Sequence, residues 1–156
     1  MLGAVALAAA CRVLAGLRPG ELERHEAALR DRLVRGLSTL PGVELPRIWR
    51  DSSAAIGVVA FTVAGFEPGA VAAYLSAEHG IGVRDGKFCA HPLLRRLGVP
   101  DGAVRASFGA GTTSADIDRL VSAVDHLVHR GPSWTYAVVD GRWAPVPDPR
   151  AYPTWE

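Results

Sequence analysis

A chain of 156 residues is one domain by its length and has the mass for a proper core. Its apolar fraction of 49% and charged fraction of 21% are those of an ordinary soluble domain, and a net charge of +1 gives no reason to bind nucleic acid or an anionic membrane. Cys11 and Cys89 are too few for a disulfide framework and suit a reducing cytoplasm.

Residues 3–17 predict a helix with small residues on one face, suited to close packing, and Gly16 with Pro19-Gly20 punctuates its end. The apolar run before Cys11 has the outline of a lipoprotein leader. It lacks a positive n-region, and its apolar character continues past Arg12 to Leu17, so a packed helix accounts for it. No stretch is long enough to span a membrane. Residues 21–40 predict an amphipathic helix, with Leu22, Ala28 or Leu29, Leu33, Leu37 and Leu40 at helical spacing and Pro41-Gly42 as the stop. Val43 to Trp49 predicts a strand that Pro46 confines to an edge. Ile56 to Ala64, β-branched and mostly apolar, is the clearest strand.

Pro68 at a first helical position and Gly80 at a C′ position frame a helix over 68–79. Ile81 to Arg84 predicts a short strand, residues 92–97 a short helix, and Val104 to Phe108 another strand. Thr113 caps a helix over 114–128, with Asp116 at the capping-box position and Ile117, Leu120, Val121, Val124, Leu127 and Val128 as its buried stripe. Beyond Gly131, Trp134 to Val139 and Arg142 to Val146 predict a hairpin turning at Asp140-Gly141. The expected class is α+β: a small, mostly antiparallel sheet with helices packed on one face. Residues 1–130 make the domain, and 131–156 a tail with an extended, surface-hugging end.

Chemistry concentrates in Arg84-Asp85-Gly86-Lys87-Phe88-Cys89-Ala90, just before the helix that starts at His91-Pro92. Here a thiol sits in a glycine-bearing loop between cations and a helix N-terminus, which together favour the thiolate, the nucleophilic form. Cys89 as a small buried hydrophobe is the plain alternative. Cys11, in an apolar helix, is expected to be buried and inert. Arg105 sits in an apolar strand, where a guanidinium needs an anion: either a carboxylate of this chain or a bound carboxylate. Arg84 has the same two readings. His91 reads as a turn or cap residue beside Cys89. His126 and His129 are spaced as a metal pair, but no third ligand completes a site. His25 and His79 read as helix-face residues, and Trp134, Trp143 and Trp155 as packing for the tail. Gly109-Ala110-Gly111-Thr112-Thr113 lacks the lysine of a phosphate-binding P-loop.

The stretch from Arg84 to Pro92, with Leu97-Gly98-Val99-Pro100 and Val104-Arg105-Ala106-Ser107-Phe108-Gly109, resembles the C-terminal domain of the class V aminotransferases. These are pyridoxal-phosphate enzymes that include the cysteine desulfurases. The family pattern is Arg, four residues, a catalytic Cys, Ala, any residue and Pro, then a second Arg in a Val-Arg-Ala-Ser-Phe strand. The resemblance runs from about Gly3 to His129. It implies the α+β small domain of the fold-type-I enzymes and a homodimer. It also implies Cys89 as the catalytic nucleophile that takes sulfur from an amino-acid substrate, Arg105 on that substrate's α-carboxylate, and Arg84 beside the active-site loop. Two departures stand out. Desulfurases of this subgroup commonly carry His-His before the cysteine, whereas here Lys87-Phe88 precede it and Phe88 cannot shuttle a proton. The family's Schiff-base lysine belongs to a large domain, and the one lysine here is Lys87. Pyridoxal phosphate is therefore expected in the full-length family enzyme and not on this chain alone, which is expected to be inactive by itself. Its first helix should then lie exposed as an apolar patch. A related amino-acid transferase or lyase with a retained loop cysteine, a stand-alone thiol or sulfur carrier using Cys89, and a non-catalytic domain that docks on a separate large-domain chain are the rival readings.

Overall fold

A computed structural model of the protein describes residues 2–48 and 56–151. Helix α1 (Leu2–Ala15) comes first, followed by α2 (Glu21–Ser38), where Leu29, Leu33 and Leu37 form the buried stripe. Strand β1 (Val43–Glu44) leads to β2 (Val58–Val63), and Pro68 starts α3 (Pro68–His79), which ends on Gly80 at φ +63°. Then come β3 (Arg84–Gly86), α4 (His91–Arg96), β4 (Ala103–Ser107) and α5 (Ser114–Arg130). Both halves of the expected capping box close at α5: the Asp116 amide donates to Thr113 Oγ1, and the Thr113 amide donates to Asp116 Oδ2.

The four strands form one antiparallel sheet in the order β1-β2-β4-β3. Side chains alternate faces along a strand, so the register sorts them. Val59, Phe61 and Val63 of β2 share one face with Val104 and Ala106 of β4. That face is buried in a single core with Leu33 and Leu37 of α2, Val71 and Leu75 of α3, and Leu120 and Val124 of α5. The expected α+β class, with helices on one face, is what forms. Helices α2 and α5 approach closely at Gly36, where a Cβ would stand 2.7 Å from Val121.

Three expectations need correction. The strand expected over 43–49 is only Val43–Glu44: Pro46 has no amide to extend the ladder, and Trp49 lies outside the described residues. The strand expected over 81–84 lies later, at Arg84–Gly86, because the Ile81 amide is spent closing the end of α3 on the Leu75 carbonyl at 2.9 Å. The helix expected over 3–17 forms, and of the two expectations for it the packed small-residue face gives way to the exposed apolar patch: no residue of α1 is buried, and Leu2 and Val13 are 89% and 69% exposed. Cys11 is consequently exposed, against the expectation of burial.

The hairpin appears as β5 (Tyr136–Val139) and β6 (Arg142–Pro145), turning at Asp140 and Gly141, whose φ of +49° and +76° are those a type I′ turn requires. It packs on α3. The Glu78 carboxylate accepts from the Ser133 and Trp134 amides and the Tyr136 hydroxyl, and the Trp143 indole N–H donates to Glu67. Gly69 makes the close approach possible, since a Cβ there would lie 2.6 Å from Trp143 Cδ1. Trp155 lies outside the described residues.

Candidate active site

The register that buries Val104 and Ala106 turns Arg105 to the other face of the sheet, and sets it directly opposite Arg84 on β3 and Ala60 on β2. Two arginines are thus cross-strand neighbours on the face away from the core. Like charges so placed repel, and an anion between or beside them would offset that cost. None of the ion pairs among the described residues involves Arg84 or Arg105. Arg105 is half-buried, and its Nε is buried with no hydrogen-bond partner. An unmet buried donor costs about 1–3 kcal/mol, so this position calls for an acceptor.

Strand β3 ends in the turn Lys87-Phe88-Cys89-Ala90, closed by the Ala90 amide on the Lys87 carbonyl at 2.8 Å. Both central residues have left-handed φ, +52° at Phe88 and +57° at Cys89. Turns of that kind ordinarily carry Asn, Asp or Gly. A non-glycine residue held there stores strain on the order of 1 kcal/mol or more, a feature that gathers at functional sites. Cys89 is exposed, so the plain reading of a buried small hydrophobe does not hold. Phe88 folds back toward the arginines, with Arg105 Cζ 5.4 Å from its ring centroid, a cation–π contact. In the sequence Phe88 stands out only as a missing proton shuttle; its contact with Arg105 depends on the β3–β4 register. Arg84, Arg105 and the Cys89 turn therefore come together on one side of the sheet. His91 is exposed at the first position of α4. A larger groove of about 890 Å³, lined by Thr62, Lys87, Pro100 and Gly102 among others, includes none of Arg84, Cys89 and Arg105.

A pyridoxal-phosphate site draws on a Schiff-base lysine and on donors for the phosphate. Lys87 is exposed. Three amides of the loop before α5 are committed: the Gly109 amide on Thr112 Oγ1, the Thr112 amide on the Gly109 carbonyl, and the Thr113 amide on Asp116. Asp116 also brings negative charge to that helix start, where a phosphate would otherwise be favoured.

The other titratable groups are structural. The Tyr74 hydroxyl donates to the Ala123 carbonyl at 3.0 Å, which makes His79 Nε2, 2.7 Å away, the donor to Tyr74. Burial first, then the Glu78 charge, pushes Tyr74 up to about 12. Burial, with a smaller push from His126, holds His79 below the usual imidazole range against the pull of Glu78. His25 faces the Thr112 carbonyl at 2.9 Å, and His129 pairs with Asp125 within its own helix. No group of three or more metal-ligating side chains forms among the described residues, so His126 and His129 gain no third ligand. No described helix is long and apolar enough to cross a membrane.

The sequence model of the class V aminotransferases matches residues 1–120. A probable cysteine desulfurase of Pseudomonas aeruginosa is 41% identical over 122 residues, covering 78% of this chain and 29% of that protein. The cysteine desulfurase CsdA of Escherichia coli is 38% identical over 126 residues, covering 81% of this chain and 30% of its own length. The solved structure of that enzyme in its S-sulfonic acid form superposes with a TM-score of 0.66 at 38% identity, over 77% of this chain and 28% of that one. The apo cysteine desulfurase of Thermococcus onnurineus gives 0.64 at 37% identity, over 70% of this chain and 26% of that one. The chain thus spans less than a third of the length of these relatives.

Proposed function

This chain belongs to the class V aminotransferase family, and on that premise we propose that it supplies the small-domain part of a cysteine desulfurase-like active site. Arg105, with Arg84 opposite it, binds the α-carboxylate of an amino-acid substrate. Cys89 presents its exposed thiol as the acceptor of the substrate's sulfur. The observation that carries this reading is the Arg84–Arg105 pair, in no ion pair among the described residues and beside the strained Phe88-Cys89 turn. Pyridoxal phosphate, which in this family supplies the electron sink for carbon–sulfur cleavage, is on this reading held by a large domain. The chain alone is then inactive, and α1 is the apolar face that such a domain, or a second subunit, covers.

The test is to incubate the chain with cysteine and pyridoxal phosphate, alone and with a desulfurase large domain added in trans. No alanine is expected from the chain alone. Alanine release is expected with the large domain, and is lost on Cys89→Ser or Arg105→Ala. Alanine release by the chain alone, or a stoichiometric pyridoxyl adduct on Lys87 after borohydride reduction, overturns the proposal. The exposure of Cys89 also supports a second reading, a sulfur carrier. That reading takes over if Cys89 accepts and passes on persulfide sulfur with no large domain present and addition of that domain changes nothing.

A further inference from the structure

Between the hairpin and α3 lies a cavity of about 430 Å³, within the usual range of small-molecule sites. The buried Tyr74 and Leu127 line it, with the half-buried Phe66, Trp134, Tyr136 and Trp143. Five of its eleven lining residues are therefore aromatic, and the one charged residue among them is Glu67. The strongest donors are already committed elsewhere: the Tyr74 hydroxyl to the Ala123 carbonyl, the Tyr136 hydroxyl to Glu78, and the Trp143 indole N–H to Glu67. The Trp134 indole and the Thr135 hydroxyl add polarity but no charge. Arg150, whose charge reaches Tyr136, is already paired with Asp148 at 2.7 Å. What the cavity offers a guest is ring faces, which are electron-rich, and one carboxylate.

That combination excludes an anion, which would meet Glu67 unpaired, and favours a cation with an apolar body. We propose that this cavity is a binding site for a small organic cation of the alkylammonium class, held on the aromatic faces with Glu67 as its counter-charge. The hairpin lies beyond residue 120, where the family match ends, so the site stands independently of the reading of Cys89 and Arg105.

Choline and its neutral carbon isostere, 3,3-dimethyl-1-butanol, separate charge recognition from plain apolar fit. With the full chain, choline is expected to give saturable shifts of the Trp134 and Trp143 indole N–H signals in ¹H–¹⁵N spectra. The isostere should bind at least about five-fold more weakly, the scale of a cation–π preference. Glu67→Gln keeps an acceptor oxygen for the Trp143 indole and removes the charge. It should weaken choline by a similar factor while the rest of the spectrum stays unchanged. Equal binding of the isostere, indifference to Glu67→Gln, or no saturable shift with choline overturns the proposal.

Discussion

Cys89 and Phe88 adopt a backbone conformation that suits neither residue, and this makes the cost of the site measurable. Cys89 is exposed, so replacing it removes no core contact. Asparagine tolerates left-handed φ far better than other non-glycine residues. Cys89→Asn is therefore expected to raise the unfolding free energy by about 0.5–1 kcal/mol in urea titrations, as the strain at φ +57° is relieved. Unchanged or lower stability would show that the turn holds no strain to release. Arg84, Cys89 and Arg105 stand out in the sequence because the order and spacing of the two motifs resemble the family pattern. The left-handed turn does not, since nothing in Lys87-Phe88-Cys89-Ala90 signals it: the residues that would normally mark it are absent. The Phe88–Arg105 contact is hidden for a different reason, because it depends on a register of β3 that the sequence reading places too early.

Among the elements, those fixed by local signals match their expectations: α3 between Pro68 and Gly80, α5 behind its capping box, and the hairpin around Asp140-Gly141. Strands β1 and β3 do not, because their limits are set by partners distant in sequence, β2 and β4. Helix α1 is the instructive case. Its apolar sequence is correctly read as helical, yet an apolar helix is stabilised by what it packs against, and here no residue of it is buried. Its amides are therefore expected to exchange with solvent orders of magnitude faster than those of β2, where Val59, Phe61 and Val63 are buried, when the two are compared by hydrogen exchange. Equal protection would mean that α1 is held by contacts of its own, and would count against its role as the face a large domain covers.

On the scale of the whole molecule, the question is what ties residues 131–151 to the family-matched domain. The tie is centred on Glu78, near the end of α3, whose carboxylate meets the Ser133 and Trp134 amides and the Tyr136 hydroxyl at 3.0–3.1 Å. Burial on its own would raise this carboxyl, but the hydrogen bonds from Ser133, Trp134 and Tyr136 outweigh it and hold it below the usual carboxylate range. Tyr136 is pushed the other way, by burial first and then by its bond to Glu78, so its hydroxyl stays a donor through the acid range. The sign follows from linkage. A carboxyl lowered on folding contributes stability that is fully present above its unfolded value, about 4.3, and is lost as pH falls through the lower folded value. Acidification below about pH 4 is therefore expected to release the hairpin, with the amides of β5 and β6 losing exchange protection before those of β2. Glu78→Gln should remove that acid-dependent step and loosen the hairpin already at neutral pH, by about 1.5–3 kcal/mol, the scale of hydrogen bonds to a charged acceptor. If the hairpin and the core instead lose protection together in acid, and Glu78→Gln leaves the hairpin as protected as before, the tie lies in the packing of Trp143 against Gly69 rather than in the carboxylate.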